Sequence, residues 1–224
     1  MRLGVLYALA RIASSKTKSG TSRSAVRSAS PSTGWSWTRR SRVNTTIAVL
    51  ATADRTDGLR ASVLRMPTDQ RVEQTWETPA PDEIVSISHG HVEAMESSDD
   101  DMIWKPGGMH HVVLRTVGRK SGNEHKVALP MWRDADGHPI VVASFGGSAK
   151  HPAWYLNLQD TSVNPEVFCR VQGGAYWSTP EILDGDDYDT NWSALLEDRA
   201  WYADYQARTE RRIPLVRLPE TRPA

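Results

Sequence analysis

The sequence predicts an α+β fold, a small antiparallel β-barrel with helices outside it, and three observations carry that expectation. Short β-branched runs follow one another between turn residues. Hairpin-type breaks join consecutive runs, which favours antiparallel pairing. Apolar spacing of three and four residues marks helices only around those runs, never as a regular alternation with them. With 224 residues, of which 39% are hydrophobic, the chain suits one core-forming domain plus an appendage.

The appendage is expected over residues 1–78. Residues 1–46 hold nine Lys or Arg and no acid, which leaves 18 basic against 27 acidic residues in the remainder. Rich in Ser, Thr and Arg with no apolar period, this leader cannot bury enough surface to offset its ordering entropy, so it reads as largely disordered. Its first ten residues mimic a signal peptide until Arg11 interrupts the apolar run. Ile47–Leu50 and Val63–Met66 are short strand-like runs, and Pro79-Ala80-Pro81 reads as the boundary of a domain over residues 79–220.

Within that domain, Ile84, Ile87, His91 and Met95 behind Asp82-Glu83 predict an amphipathic helix. His110–Val117, between glycines, reads as a strand; Lys126–Trp132 is a second, Asp134-Ala135-Asp136-Gly137 a hairpin turn, and Ile140–Phe145 a third. A helix over Pro152–Gln159 follows a Gly146-Gly147 break. Glu166–Val171 and Ala175–Leu183 then flank the Gln172-Gly173-Gly174 turn. Asp187–Ala200 reads as a helix and Ile213–Leu218 as a final strand. The acidic run Ser97–Asp101 reads as a solvated helix exit.

Net charge near zero gives no whole-chain argument for nucleic-acid or membrane binding, and no apolar run approaches a membrane span of about 18 residues. A single cysteine, Cys169, excludes a disulfide framework or a Cys-rich metal site and fits a reducing cytoplasm. Adjacent strand histidines such as His110 and His111 point to opposite faces and cannot chelate together, so no metal is expected.

Three stretches can carry chemistry. Gly118-Arg119-Lys120-Ser121-Gly122 sets two cations and a hydroxyl between glycines, an arrangement that suits either an anion or an ordinary basic turn. It lacks the spacing of a P-loop. Ala143–Leu158 ends a strand in Gly-Gly and enters a helix with Trp154 and Tyr155, a shelf that a flat ligand can approach, or simply a core-facing helix. Tyr202 and Tyr205, three apart, share one face if their segment is helical.

Taken in order, Gly118–Gly122, Val127-Ala128-Leu129-Pro130, Ala143–Gly147, Lys150–Leu158, Tyr202–Gln206 and Arg212-Ile213-Pro214 resemble the deazaflavin-dependent nitroreductase family across residues 82–218. The resemblance implies a split β-barrel of the FMN-binding kind and coenzyme F420 as cofactor, with FMN as the alternative. It also implies an enzyme that passes a hydride from reduced deazaflavin to a small electron-poor acceptor: a quinone, nitroaromatic or enone. A non-catalytic F420-binding protein is the other alternative. An F420-reducing dehydrogenase is then an indirect partner, through the cofactor pool.

Position by position, the resemblance puts the anionic tail beside Arg119, Lys120, Ser121, His125 and Lys126. It puts the ring along Val142, Ala143, Ser144 and Phe145 and against Ala153, Trp154 and Asn157. Tyr202 and Tyr205 border the acceptor, with a phenol such as Tyr205 hydrogen-bonding its oxygen. Family members often carry Arg where His125 stands, Lys where Phe145 stands and, in some, a third tyrosine where Arg199 stands.

Overall fold

A computed structural model describes residues 70–224. The leader and the two strand-like runs before Gln70 lie outside the described residues. The elements are α1 (Pro81–Ser97), α2 (Asp101–Trp104), β1 (His111–Val117), β2 (Glu124–Arg133), β3 (Pro139–Val142), α3 (Ala153–Leu158), β4 (Val167–Val171), β5 (Gly174–Ser178), β6 (Glu181–Ile182), α4 (Gly185–Asp198), α5 (Trp201–Ala207), β7 (Leu215–Arg217) and β8 (Arg222–Pro223).

All pairings are antiparallel and run in the order β6-β7-β3-β2-β1-β4-β5-β8. That order dictates curvature. Laid flat, β7 and β8 would stand six strand spacings apart, about 29 Å, yet only five residue steps join Arg217 to Arg222, at most about 18 Å of chain. The sheet therefore curls until its ends approach, giving the antiparallel half-barrel with outside helices that the hairpin pattern predicts. β2 turns the corner: Glu124–Pro130 pairs with β1, and Met131–Arg133 pairs with β3.

β1 is covered on both faces over its first four residues, which explains the apolar run Val112–Leu114. Val112 and Leu114 enter a cluster with Met131, Val141, Tyr155, Leu158 and Cys169, while Val113 packs with Val92, Met95 and Trp104 from α1 and α2. A third cluster joins Trp132, Ile140 and Leu215 to Leu195, Trp201, Tyr202 and Tyr205 of α4 and α5. Each large apolar side chain so buried contributes about 1.5–3 kcal/mol.

α1 begins at Pro81 with Asp82 and Glu83 in its first turn and buries His91, Val92 and Met95, close to the expected face. The acidic run after it is more than an exit. Asp100 accepts from the Met102 N–H and caps α2, whose Trp104 is buried. His91 and His111 pack ring to ring at 4.8 Å. Burial lowers the pKa of both, that of His111 to about 3, so both are neutral near pH 7. Burial pushes the Cys169 thiol up to about 12, the inert state expected of a core cysteine.

Residues 70–80 run across this domain rather than away from it. The Val72 N–H donates to the Asp198 carbonyl at 3.0 Å, Gln70 exchanges hydrogen bonds with the Arg133 backbone, and Trp76 meets Trp201 edge-on at 5.3 Å. The domain boundary expected at Pro79 thus falls inside a packed segment. Pro79-Ala80-Pro81 starts a helix instead of ending a linker.

Candidate active site

The Gly118–Gly122 loop joins β1 to β2 and folds tightly on itself. The Gly118 N–H donates to the Asn123 carbonyl and the Gly122 N–H to that of Gly118, both at 2.8 Å. A Cβ on Gly118 would meet Ser121 Oγ at 2.5 Å and His125 Nε2 at 2.8 Å, so those side chains turn inward over the glycine. Arg119 and Lys120 are exposed at the rim.

What anchors the loop is Asn157 on α3. Its Oδ1 accepts from the Arg119 N–H at 3.3 Å and from Arg119 Nη1 at 3.4 Å, while its Nδ2 donates to Thr116 Oγ1 at 3.1 Å. Asn164 clamps the Val117 N–H and carbonyl next door. With both ends of its amide engaged inside the chain, Asn157 positions Arg119. Trp154, expected beside it on the shelf, packs in the core, and Ala153 is exposed.

Register separates two residues that the sequence groups together. His125 stands opposite Thr116, the residue that Asn157 touches, whereas Lys126 stands opposite Arg115 on the other face. There Lys126 donates to Glu96 of α1 at 2.6 Å. His125 remains within 3.5 Å of Ser121 at the loop.

β3 ends at Val142, and the chain turns through Ala143–Gly147. Among the described residues, Phe145 is the non-glycine with positive φ, at +50°, a conformation that costs about 1 kcal/mol. An arginine outside the expected set holds it. Arg211 Nη2 donates to the carbonyls of Ala143 at 3.1 Å and Ser144 at 2.7 Å, and its Nε donates to that of Ser148 at 2.8 Å. Arg211 also faces His151 at 3.3 Å; burial first, and this cation second, lower the pKa of that histidine.

Gly147 presses on α5: a Cβ there would sit 2.6 Å from the Tyr205 carbonyl. The shelf turn and the tyrosine helix are thereby in backbone contact. Tyr202 and Tyr205 do share a helix, their rings T-shaped at 5.7 Å and both buried. Tyr202 lies beside Arg199, which is 1% exposed and donates to the Met131 carbonyl at 2.7 Å. Burial raises the Tyr202 phenol and the nearby guanidinium opposes that shift. Tyr205 Oη accepts from Thr78 Oγ1 at 3.3 Å.

Among the described residues, Asp134, Asp136 and His138 of the β2–β3 turn lie close enough to share a cation. The buried Asp134 carboxylate already accepts from Arg217 at 2.7 Å and from two backbone N–H groups of its own turn.

Comparison with known proteins identifies the family. The model of the family described as F420H(2)-dependent quinone reductase matches residues 89–220. An F420H(2)-dependent quinone reductase of Mycobacterium tuberculosis is 34% identical over 116 residues, which cover 50% of this chain and 75% of that protein. A solved F420-H2 dependent reductase, FDR-A, is 33% identical, and the match covers 49% of this chain and 93% of the other with a TM-score of 0.42. Matched over more than half its length and 34% identical to such a relative over 116 residues, the chain belongs to the F420H(2)-dependent quinone reductase family.

Proposed function

We propose that this quinone reductase receives the anionic end of F420 on the Gly118–Gly122 loop, the flat ring system along Val142–Phe145, and its acceptor beside Tyr202 and Tyr205. One observation carries the reading. Arg119 and Lys120 are adjacent and exposed on one tight loop, with no carboxylate partner among the described residues. An unneutralised pair on a tight loop suits a phosphate and an oligoglutamate tail. Ser121 and His125 border the same anion, and Lys126 is committed to Glu96.

Bound F420H2 supplies the hydride. The chain's own contribution is placement and polarity. Asn157 fixes Arg119, and Arg211 fixes the turn at Ser144 and Phe145. Gly147 brings that turn against α5. The Tyr205 O–H then donates to the quinone oxygen as negative charge develops there, and Tyr202 packs beside it. Trp154 and Ala153 support the shelf from α3.

The acceptor class is a quinone, and the proposed source of reduced cofactor is an F420-reducing dehydrogenase acting through the shared pool, a supply that fits a cytoplasmic enzyme. No helix among the described residues is long and apolar enough to cross a membrane. Tyr205→Phe tests the reading: turnover of menadione should fall roughly 10- to 1000-fold, the scale for losing one oxyanion donor, while F420 affinity by fluorescence stays near wild type. Wild-type turnover would reduce Tyr205 to a pocket wall.

A further inference from the structure

The segment before α1 touches both halves of the site, although it lies outside the region that the family model matches. Thr78 is threaded between them. On one side its methyl group packs on the shelf turn, where a Cβ on Gly146 would come within 3.1 Å of Thr78 Cγ2. On the other side its hydroxyl donates to Tyr205 Oη at 3.3 Å. A β-branched residue has few χ1 choices, so pinning the methyl also aims the hydroxyl.

Behind Thr78 stands Gln74. Its Nε2 donates to the Trp76 carbonyl at 3.0 Å and to Thr78 Oγ1 at 3.4 Å. The Gln74 amide nitrogen has only protons to offer, so Thr78 accepts from it on one lone pair, and the Thr78 proton points at Tyr205 Oη. The sequence of donors therefore runs Gln74, Thr78, Tyr205. It leaves the Tyr205 O–H as its free end, with no acceptor among the described residues. Hydrogen bonds in such a series polarise one another in the same sense.

We propose that Thr78, seated by Gln74, is a positioning residue that directs the Tyr205 O–H toward the quinone oxygen. The proposal rests on the reading that Tyr205 borders the acceptor. It adds a specificity-determining wall, residues 74–78, that a chain with another segment in this place would lack.

Thr78→Val keeps the shape and removes the hydroxyl; Thr78→Ser keeps the hydroxyl. In the full-length protein with saturating F420H2, Thr78→Val should lower kcat for menadione about 5- to 30-fold at unchanged F420 affinity, and Thr78→Ser should stay within about 2-fold of wild type. In a Tyr205→Phe background, Thr78→Val should have no further effect on kcat. A second readout needs no cofactor. Thr78→Val and Tyr205→Phe should each lower the melting temperature of the cofactor-free protein by about 2–4 °C, and the double variant by no more than the larger single effect. Normal kcat in Thr78→Val with impaired Tyr205→Phe overturns the proposal and spares the reading of Tyr205. Strictly additive melting shifts overturn it as well. Wild-type turnover in Tyr205→Phe overturns that reading and the proposal together.

Discussion

Replacing Gly147 with alanine should damage the domain much more than the same change at Gly137, although the two backbones are nearly alike. φ is +82° at Gly147 and +86° at Gly137. Each alanine therefore incurs the left-handed penalty of about 1–2 kcal/mol. The surroundings differ. Nothing lies within 4 Å of a Cβ on Gly137, whereas one on Gly147 meets the Tyr205 carbonyl at 2.6 Å and Arg208 Cβ at 3.0 Å. The first of these is helix backbone and cannot rotate away. Relief requires α5 to retreat by about half an ångström, which disturbs the packing of Trp201, Tyr202 and Tyr205; overpacking of this kind costs about 1–3 kcal/mol more. The expected losses are about 2–5 kcal/mol for Gly147→Ala and about 1–2 for Gly137→Ala. Urea unfolding at constant m-value measures both, and quinone turnover should fall only in Gly147→Ala, since only that change moves the tyrosines. Equal midpoints for the two variants would refute the claim that the shelf and α5 are in rigid contact.

Lys120→Ala and Arg119→Ala should each weaken F420 binding by about 1–3 kcal/mol, and added salt should erode wild-type affinity; fluorescence titration with F420 and with FMN checks both points. Acid should destabilise the fold through His111. Its folded pKa of about 3 lies below the ordinary 6.5, so from pH 6.5 downward the unfolded chain takes up a proton that the folded chain refuses. The loss is about 2 kcal/mol at pH 5, His91 adds to it in the same direction, and a flat urea midpoint between pH 7 and 5 would contradict it. A chain shortened to begin at Pro79 should melt several degrees below one beginning at Gln70 and lose most quinone turnover, because it lacks the Val72, Trp76 and Thr78 contacts; F420 should still bind at the basic loop.

The parts of this site legible in the sequence are those built from neighbours. Glycines around Arg119 and Lys120, β-branched runs and the three-residue spacing of Tyr202 and Tyr205 report local geometry directly. Arg211 is different. It follows the tyrosine segment in the sequence, but the carbonyls that it clamps are more than 60 residues away, and no local pattern marks a side chain for distant backbone. Asn157 likewise sits at a predicted shelf position, but its partners Thr116 and Arg119 come from another hairpin, so its role as an anchor depends on how α3 docks. Lys126 was separable in principle, since a period of two sends it to the face opposite His125. Glu96 as its partner was not. The segment before Pro79 misleads for a simpler reason: it makes its contacts through an extended backbone and a few side chains, without any period to detect.

The curled sheet also bears on how the protein is made. The strands latest in sequence, β7 and β8, cover the open edges of β3 and β5, far apart in strand order. On a ribosome releasing about 5–20 residues per second, the nascent sheet grows outward from β1 and β2 with both flanks bare until Leu215–Pro223 emerges. Bare strand edges recruit other strands, so the interval before that stretch arrives is when neighbouring nascent chains can pair by mistake. One short stretch then covers both flanks almost at once, with β7 taking β6 as its outer neighbour.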